Sequence, residues 1–433
     1  MGGPKRTRLG GRQIVGRGRS AGSARSTALV FGPGVLLRWA QEGAILVATK
    51  PISSPVKNAE IGELLEALAQ HAQRPVEEAL ALPPAVYRSA PLLAHETRQI
   101  FEREWTCIGR LAEIPAPGDY LTFSVAGQPV VAIRQADQSV KVFANVCLHR
   151  CAKLLEGTGK ARRIVCPYHA WTYTTDGRLV GAPQMDSSPG FSIEGQALAE
   201  LRTTFWEGFI YVTLSEEAPP LEPRIEGLRE VVGRYRLTDY EPVILENEIW
   251  DTNWKCLVEN FMDAYHVFKV HRKTFDPTNQ SVQRTTMHEG GDQWAYHTVD
   301  APADDSRALA HPDNTWLEGD WRRTVTLAAV FPTHTMQIQP DMLWYLSIQP
   351  HGTDQVAVRW AVSIPREILA DGDREALVKQ WGELLRAVNE EDKGIIRRVR
   401  EGVNFGSATQ GRLAHLERNL WEFGQYYSRL MTA

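Results

Sequence analysis

Apolar positions follow two periods along the chain, and the change from one to the other divides it. Residues 59–70 and 94–105 repeat apolar side chains at helical spacing, with Pro83-Pro84 breaking the chain between them. From Tyr120 the pattern becomes that of strands: 120–125, 130–134 and 140–145 are short β-branched and aromatic runs divided by turns containing Gly and Asp. Further strands are expected at 171–174 and 209–214, with Asp176-Gly177 as a hairpin turn between Tyr173 and Leu179. The Pro-rich stretch 218–223 is the best domain boundary. Beyond it the pattern predicts a strand near 242–250 and a helix from about Asn253. Strands at 323–330, 335–339, 343–349 and 356–364 follow, then two closing helices near 373–401 and 412–430. No internal repeat is present. The expected fold class is α+β, a small all-β domain followed by a domain whose antiparallel sheet is covered by helices.

Composition narrows the field. The chain has 433 residues, 43% hydrophobic and 23% charged, which suits two or three globular domains and argues against wholesale disorder. The net charge of −4 hides an asymmetry: residues 1–50 hold nine Lys/Arg and one acid, Glu42. The body is therefore acidic and a poor nucleic-acid binder, since that affinity comes mainly from neutralising phosphates. No uninterrupted apolar run approaches ~18 residues, so no membrane span is expected. Residues 1–27 contain seven Lys/Arg and no acid, a composition shared by transit peptides, disordered tails and over-extended start sites. The following apolar stretch, 28–37, is interrupted by Gly32-Pro33-Gly34 and makes a poor signal-peptide core. Domains are thus expected at 1–55 (a basic, disordered leader), 56–107 (a helical segment), 108–217 and 218–433. The five cysteines are odd in number and scattered, which suits reduced thiols or metal ligands in a reducing, cytoplasmic compartment.

Two of those cysteines fall in a metal-binding pattern. Cys147-Leu148-His149 and Cys166-Pro167-Tyr168-His169 form C-x-H and C-x₂-H motifs separated by 16 residues. Two thiolates and two imidazoles on neighbouring β loops suit either tetrahedral zinc or a [2Fe–2S] centre in which two Cys hold one iron and two His the other. Because each loop supplies one Cys and one His, each can touch both irons. Arg150, Lys153, Lys160, Arg162 and Arg163 make this segment locally basic, either a solvated face or a docking patch for an acidic electron donor.

A second constellation lies beyond the boundary. In the 253–266 segment Trp254, Leu257, Val258, Phe261 and Tyr265 form one helical face, and Asn260, Asp263 and His266 form a neighbouring row. His266 and His271 are five residues apart, about 140° of rotation on an ideal helix at ~100° per residue. To share a metal, the helix must end or bulge between them. Two His invite a carboxylate, completing the non-haem Fe(II) triad with open positions. In the 373–401 helix the apolar stripe runs through Leu377, Trp381, Leu384, Leu385, Val388, Ile395, Ile396 and Val399. Asp392 lies within ~30° of the stripe's centre, Glu391 about 70° away and Glu390 nearly opposite. An inward Asp needs a partner, either a metal or a buried Arg or backbone group.

These motifs together resemble the α subunit of Rieske non-haem iron oxygenases, the ring-hydroxylating oxygenase family, from about Tyr87 to the C-terminus. Cys-Leu-His-Arg and Cys-Pro-Tyr-His-Ala-Trp are similar to that family's two cluster loops. The resemblance implies that Cys147, His149, Cys166 and His169 hold the cluster, that His266, His271 and Asp392 hold iron, and that Asp263 is the bridging acid. Family α subunits form head-to-tail trimers, with or without a small β subunit, so Asp263 would link His169 of one subunit to His266 of the next. Asn260 is expected to position Asp263 or a water. Electrons are expected from NAD(P)H through a flavin- and iron–sulfur-containing reductase or a ferredoxin, to activate O₂ and oxidise a small molecule. Where the family has a small residue after the first-loop Arg, this chain has Cys151, expected to be a small buried thiol. The 415–423 stretch resembles the choline- and glycine-betaine-monooxygenase branch. A quaternary-ammonium substrate needs an aromatic cage, for which Trp294, Tyr296, Trp316, Trp321, Trp344 and Tyr345 are available. Against that branch, the bridging acid is Asp263, and Phe261 and Phe268 suit an aromatic substrate equally. The alternatives are an electron-transfer Rieske protein, which needs no second iron, and a zinc-stabilised binding module.

Overall fold

Strands whose side chains are buried on both faces organise the molecule. The computed structural model describes residues 58–301, 309–371 and 374–433. The expected leader and the 28–37 stretch lie outside them. Seven antiparallel strands form the central sheet in the order Tyr240–Trp250, Val356–Pro365, Met342–Pro350, His334–Gln339, Thr324–Val330, Trp294–Asp300, Thr285–Met287. Met342–Gln349 is buried at every position, because alternate residues enter different cores. Trp344, Leu346 and Ile348 join one core, Leu343 and Tyr345 the other.

The first core is roofed by the helices Trp254–Met262, Arg374–Val403 and Arg418–Thr432. Leu68, Leu82, Leu92 and Phe101 of the N-terminal helical segment are buried in this same core, so that segment packs on the later half of the chain. The second core is closed by the helix Glu222–Val232 and by a three-stranded sheet of Thr106–Arg110, Phe209–Thr213 and Arg202–Trp206. Glu113, beside that small sheet, pairs with Arg359 and accepts from the Tyr345 hydroxyl of the central sheet, both charges being buried. The remaining small sheets, 140–144/128–134/119–125/158–160 and 164–165/172–173/179–181, complete the all-β region. The hairpin at Asp176-Gly177 forms as expected, with Tyr173 opposite Leu179.

The helix expected at 94–105 is displaced. It runs Ala90–Glu96, capped by Ser89, continues as one wider turn to Phe101, and gives way to a strand at Thr106. Val399 of the expected helical stripe is exposed, whereas Trp381, Leu385, Val388 and Ile396 are buried. Among the described residues no helix is long and apolar enough to cross a membrane.

One buried ion pair ties three distant segments together. Lys255 Nζ lies 2.6 Å from Glu96 Oε1, with both side chains essentially inaccessible. Glu96 also accepts from Trp254 Nε1 at 2.7 Å and Tyr427 OH at 2.6 Å. Removing one member of a buried pair leaves an uncompensated charge, at a cost of about 3–5 kcal/mol. Glu96→Ala is therefore expected to lower the thermal midpoint by several degrees in scanning calorimetry; an unchanged midpoint would contradict this role.

Candidate metal centres and substrate cavity

The two cysteine loops repeat one backbone design. Cys147 N donates to Ala152 O and Cys151 N to Cys147 O; likewise Cys166 N donates to Trp171 O and Ala170 N to Cys166 O. In each loop the fourth residue after the cysteine is left-handed, Cys151 at φ 55° and Ala170 at φ 56°. This corrects the expectation for Cys151: the thiol is exposed, and the position's demand is conformational, a turn that glycine adopts most readily. The turns bring His149 and His169 together with ring centroids 4.6 Å apart, and Trp171 stacks on His149 at 4.9 Å. Cys147 and Cys166 are buried, whereas His149 and Tyr168 face solvent. Tyr173, which sequence reasoning missed, is fully buried beside them. Its hydroxyl accepts from Leu148 N at 3.0 Å and lies 3.3 Å from Cys147 Sγ, placed to donate to that sulfur when it is a thiolate. A hydrogen bond to a ligand sulfur is one of the levers that set an iron–sulfur potential. Buried thiols with imidazoles at the rim are the donor set of a Rieske cluster.

The second centre arises from a helix break. Asn253 caps the Trp254–Met262 helix through Lys255 N, and that helix stops at Asp263, which adopts an extended backbone. The break therefore falls before His266, not between the two histidines as expected. His266 and His271 instead flank the single turn Val267–Val270. The Asp263 carboxylate accepts from Tyr265 N at 2.6 Å and His266 N at 3.3 Å, and so caps that turn. His266 Nδ1 donates to the Asp263 carbonyl at 2.7 Å, with the carboxylate farther, at 3.5 Å. His266 Nε2 is thereby turned towards His271 Nε2, 3.1 Å away.

Asp392 arrives from the Arg374–Val403 helix. Its Oδ1 lies 3.1 Å from His271 Nε2 and 3.5 Å from His266 Nε2. Neighbouring ligands at right angles around one small cation with bonds of ~2.1 Å are about 3 Å apart, so the three donors fit a single metal. Burial disfavours protonated His266, but the hydrogen bonds and charges of Asp263 and Asp392 outweigh it and raise the pKa to about 10. Burial likewise opposes an ionised Asp392, but His266 and His271 outweigh it and hold the carboxyl far below its usual range. Such a proton-loaded site exchanges protons for a cation.

Two side chains brace this set. Asn260 Nδ2 donates to Asp392 Oδ1 at 2.9 Å, so it positions Asp392, not Asp263 or a water as expected. Glu391, set aside in the helical-wheel reading, accepts from His271 Nδ1 at 2.9 Å and from Thr274 Oγ1 at 2.7 Å. A carboxylate on the far nitrogen fixes the tautomer and orientation of a ligating histidine.

Beside the centre is a cavity of about 130 Å³. Its floor is a row across four paired strands, His297, Leu327, Gln337 and Trp344 in register. Phe261, Phe275, Trp381 and Val388 add apolar wall. Of the six aromatics considered for a cage, only Trp344 lines this cavity. Strand alternation sends Tyr345 and Tyr296 to the opposite core with Trp294, Trp316 and Trp321, where Arg234 and Arg236 lie over Trp321 and Trp316.

Comparison with known proteins agrees with these two centres. Residues 104–200 match the family described as Rieske [2Fe-2S] domain, and 230–433 the family described as ring hydroxylating alpha subunit (catalytic domain). The chain is a Rieske-type oxygenase α subunit. Its cofactors are a Rieske cluster and a mononuclear iron, and it works with a reductase. The α subunit is 27% identical over 341 residues to the carnitine monooxygenase oxygenase subunit of Acinetobacter baumannii, covering 77% of this chain and 88% of that one. It is 34% identical over 192 residues to the glycine betaine monooxygenase oxygenase subunit of Chromohalobacter salexigens, 44% of this chain and 43% of that one. Solved structures share the fold. A quaternary ammonium Rieske monooxygenase in complex with L-carnitine superposes with TM-score 0.69 at 24% identity, over 84% of this chain and 98% of that one. Naphthalene 1,2-dioxygenase from Rhodococcus sp. bound to indole gives 0.72 at 20% identity, over 87% and 99%.

Reconstituted protein is expected to contain about three iron atoms per chain. Asp392→Ala should reduce that to about two while the EPR signal of the reduced cluster persists. Retention of the third iron by this variant would remove Asp392 from the ligand set.

Proposed function

We propose that this terminal oxygenase acts on a small quaternary-ammonium compound, oxidising an N-methyl group or an adjacent carbon. The observation that carries the reading is the aromatic cavity beside the triad, whose lining includes Phe261, Phe275, Trp344 and Trp381 together with the Asp263 carboxylate. A cation without hydrogen-bond donors is held by ring faces and nearby carboxylates. The relatives named for carnitine and glycine betaine support the same class. A second reading, oxygenation of a single aromatic ring, is favoured by the aliphatic wall of Val299, Val325, Leu327 and Leu384. A cavity of about 150 Å³ binds benzene in an engineered apolar core, so a one-ring substrate is of suitable size.

When bound, the cluster supplies electrons singly and the ferrous iron supplies dioxygen activation. Cys147, Cys166, His149 and His169 would hold the first group, and His266, His271 and Asp392 the second. Asn260 and Glu391 hold Asp392 and His271 in place, so that the open side of the triad faces the cavity. The apolar walls exclude water from the reacting carbon, which limits unproductive oxygen reduction.

The assembly we propose is a head-to-tail homotrimer in the cytoplasm. Leu148, Val165 and Tyr168 beside the cluster loops are exposed, an apolar patch for a second copy to cover, and Tyr265 beside Asp263 is exposed as well. Asp263 would there accept from His169 of the neighbouring subunit. The exposed Arg150, Lys153, Arg162 and Arg163 suit an acidic reductase or ferredoxin. The three cysteines outside the cluster loops' ligand set, Cys107, Cys151 and Cys256, are unpaired, which suits a reducing compartment.

With a surrogate reductase and NADH, substrate-dependent O₂ uptake is expected with at least one of choline, carnitine and glycine betaine. Uptake only with one-ring aromatics would overturn the substrate class and leave the oxygenase intact. Asp263→Ala is expected to keep both metal centres and lose turnover by about 10- to 100-fold, as for an outer residue that orients a ligand. Normal product formation by that variant would end the bridging role.

A further inference from the structure

His297 lies on the cavity floor and has no part in holding the metal. It sits in the Trp294–Asp300 strand, between Leu327 on one neighbour and Met287 on the other, and alternation turns it to the same face as Ala295 and Val299. The residue is 1% exposed. A buried imidazole presents either a donor or an acceptor at each nitrogen, and its neighbours decide which.

Here the neighbours are fully determined. Asn419, from the Arg418–Thr432 helix, directs its amide nitrogen to Tyr296 O and Glu422 Oε2, both at 3.1 Å. Those partners only accept, so the amide cannot be flipped, and the Asn419 oxygen must face His297 Nδ1 at 2.8 Å. Glu422 is itself fixed by Gly290 N at 2.8 Å and Arg418 Nε at 3.0 Å. Nδ1 therefore carries the proton. Burial keeps the ring neutral, pushing its pKa down to about 4. Nε2 is left as a bare lone pair, with no partner among the described residues.

We propose that His297 Nε2 is a substrate-recognition acceptor, and that the molecule this cavity takes carries one O–H or N–H group that donates to it. This rests on the cavity being the substrate site, as in the proposed function, and refines the class in either reading: a hydroxylated quaternary ammonium ion, or a phenol or aniline in place of a plain arene. A site built around a buried acceptor discriminates against an analogue lacking the donor, because that analogue leaves the acceptor unpaired. Gln337, next but one along the same cross-strand row, adds a second polar group to an otherwise apolar floor.

The test uses reconstituted holoenzyme and two matched pairs of probes, choline against its O-methyl ether and phenol against anisole, with affinities from calorimetry. In at least one pair the hydroxyl compound is expected to bind about tenfold more tightly than its methylated twin. His297→Leu should reduce that ratio to about one. His297→Gln, whose side-chain oxygen reaches a similar point, should restore most of it, which a purely structural role would not. Discrimination in the phenol pair alone would sustain the role of His297 while overturning the quaternary-ammonium reading. If neither hydroxyl compound binds more tightly than its twin, or if the ratio survives in His297→Leu, the proposal is overturned.

Discussion

An aspartate facing inward from the apolar stripe of a long helix is the constraint on which the catalytic half depends. Asp392 is 7% exposed, among Leu385, Val388 and Ile396 on the same helix. An ionised carboxylate there demands positive partners, and the fold supplies two imidazoles from a distant segment. Meeting that demand requires the Trp254–Met262 helix to stop early, so that one short turn can present His266 and His271 to the same point. The seven-stranded sheet then closes the space beneath. Triad, cavity and helix break are consequences of one another.

Such a centre is only as good as its support. Glu391 and Asn419 hold the Nδ1 atoms of His271 and His297, and Asn260 donates to Asp392 Oδ1, the oxygen that faces the two histidines. In each case a polar side chain on a helix holds a residue that lines the cavity. The buried pairs Lys255–Glu96 and Arg359–Glu113 serve at larger scale, the first tying the N-terminal helices to the helices that roof the core and the second tying the all-β region to the central sheet.

Much of this was legible from residue pattern alone. The cluster motifs were readable from their Cys and His spacing, the two histidines from their place beside an apolar helical face, and Asp392 because a carboxylate sits where the helical stripe calls for an apolar residue. Most strands of the central sheet were readable from their β-branched runs. The Trp294–Asp300 strand was not, because its aromatic and apolar side chains enter cores on both faces and erase alternation; His297 was missed with it. Glu391 was missed because a position about 70° from the stripe reads as surface, whereas a tertiary contact with His271 brings it in. Cys151 was read by its side chain when its backbone φ was the determinant. The helix break was expected one turn too late, since Asp263 is compatible with a helix until its carboxylate caps the next turn.

The central claim is that His266, His271 and Asp392 hold one iron beside the aromatic cavity, in a chain that also carries a two-iron cluster. Anomalous diffraction recorded at the iron absorption edge on reconstituted crystals tests it most directly. The account predicts one peak between His266 Nε2, His271 Nε2 and Asp392 Oδ1, and a separate paired peak among Cys147, His149, Cys166 and His169. Iron at the cysteine loops with none at the triad, or a triad peak that responds at the zinc edge instead, would contradict it.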